Sequence, residues 1–252
     1  MTIRRLLAAL AFLAASLAVV ATPTPAPAAA QTRDPVVIVP GFTTGPIVSI
    51  GYLPLQARLT AAGYDTTLLV YPDYGLGDIH ANAVRLRTTV DAVKARTGAS
   101  KVDLVAHSMG GLVSRDYIKN LGGAGSVDTL TMLGTPNYGT AIANLANLID
   151  CAGITACQQM ASGSTYLHAL NAGDDTIGDV RYTSIATKLD VVATPYTNSF
   201  LANDGNIANV AVQDQCWLRL PGHLTLITDG AVADGILDVL RDQPVRMNCW
   251  AL

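Results

Sequence analysis

The sequence is short of charge. Only 14% of its 252 residues are Asp, Glu, Lys or Arg, and 16 basic against 19 acidic side chains leave a net charge of -3. A chain with so few cations is a poor match for a phosphate backbone, so nucleic acid is not expected as a partner. Internal repeats and linker-like stretches are missing too. Histidine and cysteine number four each, and no histidine or second close cysteine pair completes a zinc spacing, which argues against a metal site. Nor does the apolar run Leu6 to Val20 reach the roughly 20 residues that a membrane span needs.

What surrounds that run gives it another meaning. Basic residues precede it in Met1-Thr-Ile-Arg4-Arg5, and a Pro/Ala-rich stretch, Ala21 to Ala30, follows. This is the layout of a secretory signal peptide cleaved at Ala28-Ala29-Ala30. Residues 1–30 are then removed, and residues 31–252 are enough for a single domain with a sizeable core. In an exported chain an even number of cysteines favours disulfides, and four cysteines allow three pairings. Cys151–Cys157 would close a tight local loop, and Cys216–Cys249 would tie the C-terminal tail to the segment before the last histidine. Each bridge is worth about 2–4 kcal/mol. The expectation is a secreted monomer with an apolar-leaning surface that suits a lipid-like substrate.

Strand and helix patterns alternate along the chain. Val36-Val37-Ile38-Val39 is a continuous apolar run of the kind buried on both faces of a sheet. Tyr52 to Ala62 has helical spacing and stops at Gly63. Thr66 to Val70 reads as a strand, and Asp78 to Thr97 as a long helix capped by Asp78 and ended by Gly98. Further strands are expected at Val102–Val105, Thr129–Leu133, Val180–Ala186 and Ile207–Val212, with a closing helix from Asp229 to Leu240. The alternation predicts an α/β fold, a mostly parallel, doubly wound sheet with helices on both faces.

The stretch that organises this pattern is Lys101-Val-Asp-Leu-Val-Ala106-His107-Ser108-Met109-Gly110-Gly111. A β-branched run meets a serine with small residues two before and two after it, and a helix follows. Small neighbours let the chain bend sharply enough to lift the Ser108 hydroxyl clear of the backbone at a strand's carboxyl end. Ser108 also precedes a helix N-terminus, where unpaired N–H groups favour a nearby oxyanion.

Ala106-His107-Ser108-Met109-Gly110 resembles the nucleophile elbow Gly-x-Ser-x-Gly of α/β-hydrolases, with Ala106 in place of the first glycine, a form that small secreted bacterial lipases also carry. The resemblance extends to Pro40-Gly41-Phe42 after the first strand, to Gly134-Thr-Pro with Gly139-Thr140, and to the Asp…His tail, so it covers nearly all of residues 31–252. It implies an α/β-hydrolase catalytic domain. It also implies oxyanion donors at the backbone N–H groups of Phe42 and Met109. The Phe42 ring is as well suited to the acyl pocket as to the core.

Superfamily chain order is serine, acid, histidine. Asp190, just past the strand 180–186, fits in order and position, while Asp174, Asp175 and Asp204 sit in turn-like settings where aspartate usually serves the backbone. His223, in Leu220-Pro-Gly222-His223, is left as the base by resemblance and by elimination. His107 points into the structure, and His80 and His168 lie on helices. The region 140–179 shows no strand pattern and resembles the helical cap that covers such sites, with 141–149 and 164–171 as its helical parts.

The implied activity is that of a triacylglycerol lipase or carboxylesterase acting through an acyl-enzyme on Ser108, a reaction that calls for no cofactor and no catalytic metal. The same machinery serves polyester depolymerases and acyltransferases. From a different class, a catalytically inactive secreted binding protein could use the same fold.

Overall fold

The computed structural model describes residues 33–45, 47–140, 150–203 and 205–252. The expected signal peptide (1–30), the cap segment 141–149 and Asp204 lie outside the described residues. Six parallel strands form one sheet in the order β2-β1-β3-β4-β5-β6. They are β1 (Val36–Val39), β2 (Thr66–Leu68), β3 (Val102–His107), β4 (Val127–Leu133), β5 (Arg181–Ala186) and β6 (Ile207–Ala211). β2 is shorter than its apolar pattern suggests. It is an edge strand and only half-buried, although Leu69 N–H still donates to the Ile38 carbonyl at 2.9 Å.

All four residues of β1 and all six of β3 are buried, because helices cover both faces. Successive side chains alternate between those faces. Val37, Val39, Leu104 and Ala106 pack in one core with α2 (Ile79–Thr97) and α3 (Met109–Asn120). Val36, Ile38 and Val105 pack in the other, against α1 (Leu53–Ala61) and the final helix (Gly230–Leu240). The helix ends follow local chemistry. Asp78 accepts from Ala81 N–H at 2.7 Å, and Gly98 ends α2 in the left-handed region at φ 74°.

The chain leaves β1, forms β2 on one side of it, then crosses to β3 on the other. The loops after β1 and β3 therefore diverge, and a crevice opens between them at the carboxyl ends of the strands, where open α/β sheets bind ligands. Two short helices, α4 (Thr155–Met160) and α5 (Thr165–Leu170), lie in the expected cap region. Both disulfides pair as expected, with Cα separations of 5.7 Å for Cys151–Cys157 and 5.3 Å for Cys216–Cys249. None of the described helices is long and apolar enough to cross a membrane.

Candidate active site

Ser108 stands between β3 and α3 with φ 54° and ψ −129°. An L-residue avoids that backbone conformation, at a cost of about 1–3 kcal/mol, so the surroundings must hold it. They do so through the main chain. Ser108 N–H donates to the Leu133 carbonyl at 2.9 Å, and Gly111 N–H donates to the Ser108 carbonyl at 3.0 Å. The glycines after the serine are there for closeness. A Cβ on Gly110 would lie 2.2 Å from the Val39 carbonyl oxygen, and one on Gly111 would lie 2.0 Å from Thr135 Oγ1. Ala106 is completely buried, which accounts for a small residue at the first position of the motif.

The expected acid and base converge on this serine. His223 Nε2 lies 2.9 Å from Ser108 Oγ, and His223 Nδ1 lies 2.8 Å from Asp190 Oδ2. The carboxylate can only accept, so the ring proton sits on Nδ1 and leaves Nε2 to accept from the serine hydroxyl. Asp190 is aimed in turn by its own loop, since its Oδ1 accepts from Val192 N–H and Ala193 N–H, both at 2.8 Å. Thr187, at the start of that loop, donates its hydroxyl to the Pro221 carbonyl at 2.7 Å and ties the acid's loop to the histidine's. All three side chains are nearly inaccessible to water.

The rival candidates among the described residues sit in other settings. Asp175 is buried in an ion pair with Arg115, 2.7 Å apart, while Asp174 and His168 are exposed. His80 pairs with Asp116 at 3.1 Å on the flank of α2 and α3. His107 is buried beside Ser108 at the wall of the site's cavity, and burial with the neighbouring His223 pushes its pKa down to about 3. Its partners, Tyr52 and the His223 carbonyl, were not anticipated from the sequence.

Ser108 and His223 face a cavity of about 510 Å³ whose walls include Phe42, Pro136, Met160, Val192, Leu224 and Ile227. Phe42 meets both expectations for its ring, since it lines this cavity and packs against the core. Gly41 N–H is engaged by the Tyr52 hydroxyl at 2.9 Å, which makes Phe42 the next amide along the loop. Met109 opens α3, where N–H groups lack intrahelical acceptors.

Cap residues Cys157 and Met160 supply part of the cavity wall. They are fixed to the sheet's flank through Gln159, whose Oε1 accepts from Ile79 N–H at 2.8 Å and whose Nε2 donates to Asp78 Oδ2 at 2.6 Å. One group of three potential metal ligands is found among the described residues, Asp34, Asp103 and Asp128. It lies at the opposite, amino ends of β1, β3 and β4. Lys101 and Arg181 already pair with Asp128 there.

The chain is similar to known lipases in sequence and in fold. A protein-family model described as a domain of unknown function, DUF7379, matches residues 16–156. Lipase B of Pseudozyma antarctica is 26% identical over 192 residues, which is 72% of this chain and 55% of that protein. Among solved structures, Aspergillus fumigatus lipase B superposes with a TM-score of 0.75 at 20% identity, over 87% of this chain and 55% of its own. The mature form of Bacillus licheniformis lipase BlEst2 gives 0.67 at 18% identity, over 87% of this chain and 96% of its own. The chain thus spans about half the length of either lipase B. The sheet order and these likenesses together show the α/β-hydrolase fold.

Proposed function

Since the chain belongs to the family described as a domain of unknown function, DUF7379, and folds as an α/β-hydrolase, we propose that it is a secreted serine hydrolase of carboxylic esters, a lipase or carboxylesterase. One observation carries this reading: Ser108, His223 and Asp190 are joined by hydrogen bonds of 2.9 and 2.8 Å at the wall of a largely apolar cavity.

Each group has a role in acyl transfer. His223 Nε2 takes the proton of Ser108 as Oγ attacks the ester carbonyl, and Asp190 steadies the imidazolium that forms. Phe42 and Met109 N–H groups receive the oxyanion, a contribution of about 3 kcal/mol per donor in enzymes of this chemistry. His223 then gives its proton to the leaving alcohol. A water molecule, activated by the same nitrogen, attacks the acyl-enzyme and releases the acid.

Lipid-like esters are the favoured substrates. Leu224, itself 72% exposed, lines the cavity, and the exposed Val191 (74%) precedes the lining residue Val192 in the chain. The two disulfides support function in an oxidising compartment. The test is to treat the protein with a fluorophosphonate, locate the adduct by peptide mass, and follow p-nitrophenyl ester hydrolysis across chain lengths. We expect the adduct on Ser108, a matching loss of turnover, and a preference for longer acyl chains. Folded protein that neither labels nor turns over would exclude the enzyme reading.

A further inference from the structure

Beside the reacting atoms, along the wall of the same cavity, runs a buried chain of polar groups. Gly41 N–H donates to the Tyr52 hydroxyl at 2.9 Å. That hydroxyl lies 2.8 Å from His107 Nδ1, and His107 Nε2 lies 3.0 Å from the His223 carbonyl oxygen. The proton positions follow from chemistry. A carbonyl oxygen only accepts, so Nε2 of His107 carries the hydrogen. In a neutral imidazole Nδ1 must then accept, and the Tyr52 hydroxyl donates to it.

The ring is neutral, because burial and the neighbouring His223 hold its pKa at about 3. Burial likewise raises the Tyr52 phenol to about 12. The chain therefore keeps one direction of hydrogen bonding across the whole working range of an esterase. Neutrality also matters for the base, since the His107 and His223 rings are only 5.0 Å apart. A charged His107 would oppose formation of the imidazolium.

We propose that Tyr52 and His107 are positioning residues that set the base loop and the oxyanion loop in register with each other. Both ends of the chain terminate on main-chain groups of the reaction centre: the His223 carbonyl at one end, the Gly41 amide beside Phe42 at the other. The two side chains thereby link loops 182 residues apart in sequence, from Gly41 to His223. Packing adds to the constraint, because a Cβ on Gly41 would meet Ser108 Cβ at 2.9 Å and His107 Nδ1 at 3.4 Å. A histidine buried only for stability could satisfy its nitrogens on any nearby groups. This one spends Nε2 on the base loop directly and Nδ1, through the Tyr52 hydroxyl, on the oxyanion loop.

The inference rests on the ester-hydrolase reading, and the experiment separates the two. Tyr52→Phe, His107→Leu and His107→Gln are compared with the unchanged protein on a soluble p-nitrophenyl ester, with active sites counted by fluorophosphonate titration and folding checked by circular dichroism. Misplacement of this kind is expected to lower kcat per titrated site about 10- to 100-fold with KM within about twofold in Tyr52→Phe and His107→Leu. His107→Gln, whose amide can still donate to the His223 carbonyl, should recover part of the loss.

A fall in Tm with kcat unchanged, or a change confined to KM, would overturn the positioning role. So would a glutamine variant no better than leucine. If His107→Leu does not fold, Tyr52→Phe, which removes a single hydroxyl, decides alone. An unchanged protein that hydrolyses no ester would instead remove the reading underneath.

Discussion

Gly110 and Val39 approach so closely that a side-chain carbon on the glycine would stand 2.2 Å from the valine's carbonyl oxygen, with Pro40 O at 2.6 Å and Val39 C at 2.9 Å. All three atoms are main chain, so nothing can rotate away. The start of α3 is thereby pressed against the end of β1, and the serine and the Gly41–Phe42 loop share one fixed distance.

Gly110→Ala should therefore push β1 and α3 apart. Overpacking typically costs about 1–3 kcal/mol, which in a domain of this size lowers Tm by roughly 2–4 °C per kcal/mol. Ester turnover should fall much further than stability does, because the displaced element carries Ser108. Thermal melts and rates on the same preparation check this, and a variant with normal turnover would show that the contact is not needed.

Ser108 itself offers a test of stored strain. At φ 54° and ψ −129° glycine is at ease and alanine is not. Both Ser108→Gly and Ser108→Ala lose the hydroxyl and should be inactive. Elsewhere glycine costs about 0.5–1 kcal/mol relative to alanine; here the order should reverse, with Ser108→Gly the more stable by about 1 kcal/mol. Denaturant titration of the pair measures the difference, and the ordinary order would mean that the elbow is relaxed.

Asp190→Asn should retain the fold and lose the chemistry. The two amides at 2.8 Å from Oδ1 hold the asparagine oxygen, which turns its NH2 towards His223 Nδ1 and forces the ring proton onto Nε2. That nitrogen can no longer accept from Ser108. A loss of kcat on the order of 10³- to 10⁴-fold is expected. Retained activity would move the acid role elsewhere.

Stability should depend on pH through Asp103, far from the site. Burial raises its carboxyl from 3.8 to about 7, its bond from Thr129 works the other way, and Asp34 and Asp128 add to the rise. Between pH 4 and 7 the folded protein thus keeps a proton that the unfolded chain has lost. Its contribution is full below pH 4 and disappears as pH climbs through 7. His107 acts with the opposite sign. Its pKa falls from 6.5 to about 3, so its contribution is present above 6.5 and is lost as pH falls towards 3.

Asp103→Asn keeps an oxygen for the Thr129 hydroxyl, now at 2.7 Å, and removes only the first dependence. The stability gap between variant and unchanged protein should open with rising pH, by roughly 1.4 kcal/mol per unit between the two pKa values, and level off above 7. Melts at pH 4.5, 6.5 and 8 that ran parallel would refute it.

Much of this arrangement is legible in the sequence because it is local. Runs such as Val36–Val39 announce a strand buried on both faces, and Ser108 announces itself by the small residues around it. Chain order and a place just past the strand 180–186 point to Asp190, while Asp174, Asp175 and Asp204 sit in turn-like settings. What local pattern hides is pairing over distance. Asp175 becomes a structural residue only once Arg115, 60 positions away, is seen beside it. Tyr52 and His107, 55 positions apart, meet only because β3 lies next to β1, and nothing in either segment names the other. Gln159 completes the N-terminus of α2 beside Asp78 for the same reason, through the placement of the cap.

β4 contributes none of the three converging side chains, yet it acts as their gauge. Ser108 follows β3 and Asp190 follows β5, with β4 between them. Neighbouring strands repeat at about 4.8 Å. The His223 imidazole crosses that interval, with bonds of 2.9 Å to the serine and 2.8 Å to the carboxylate. Gly134, at the end of β4, keeps that interval open, since a Cβ there would come within 3.0 Å of Asp190 Oδ2 and 3.2 Å of His223 Nδ1.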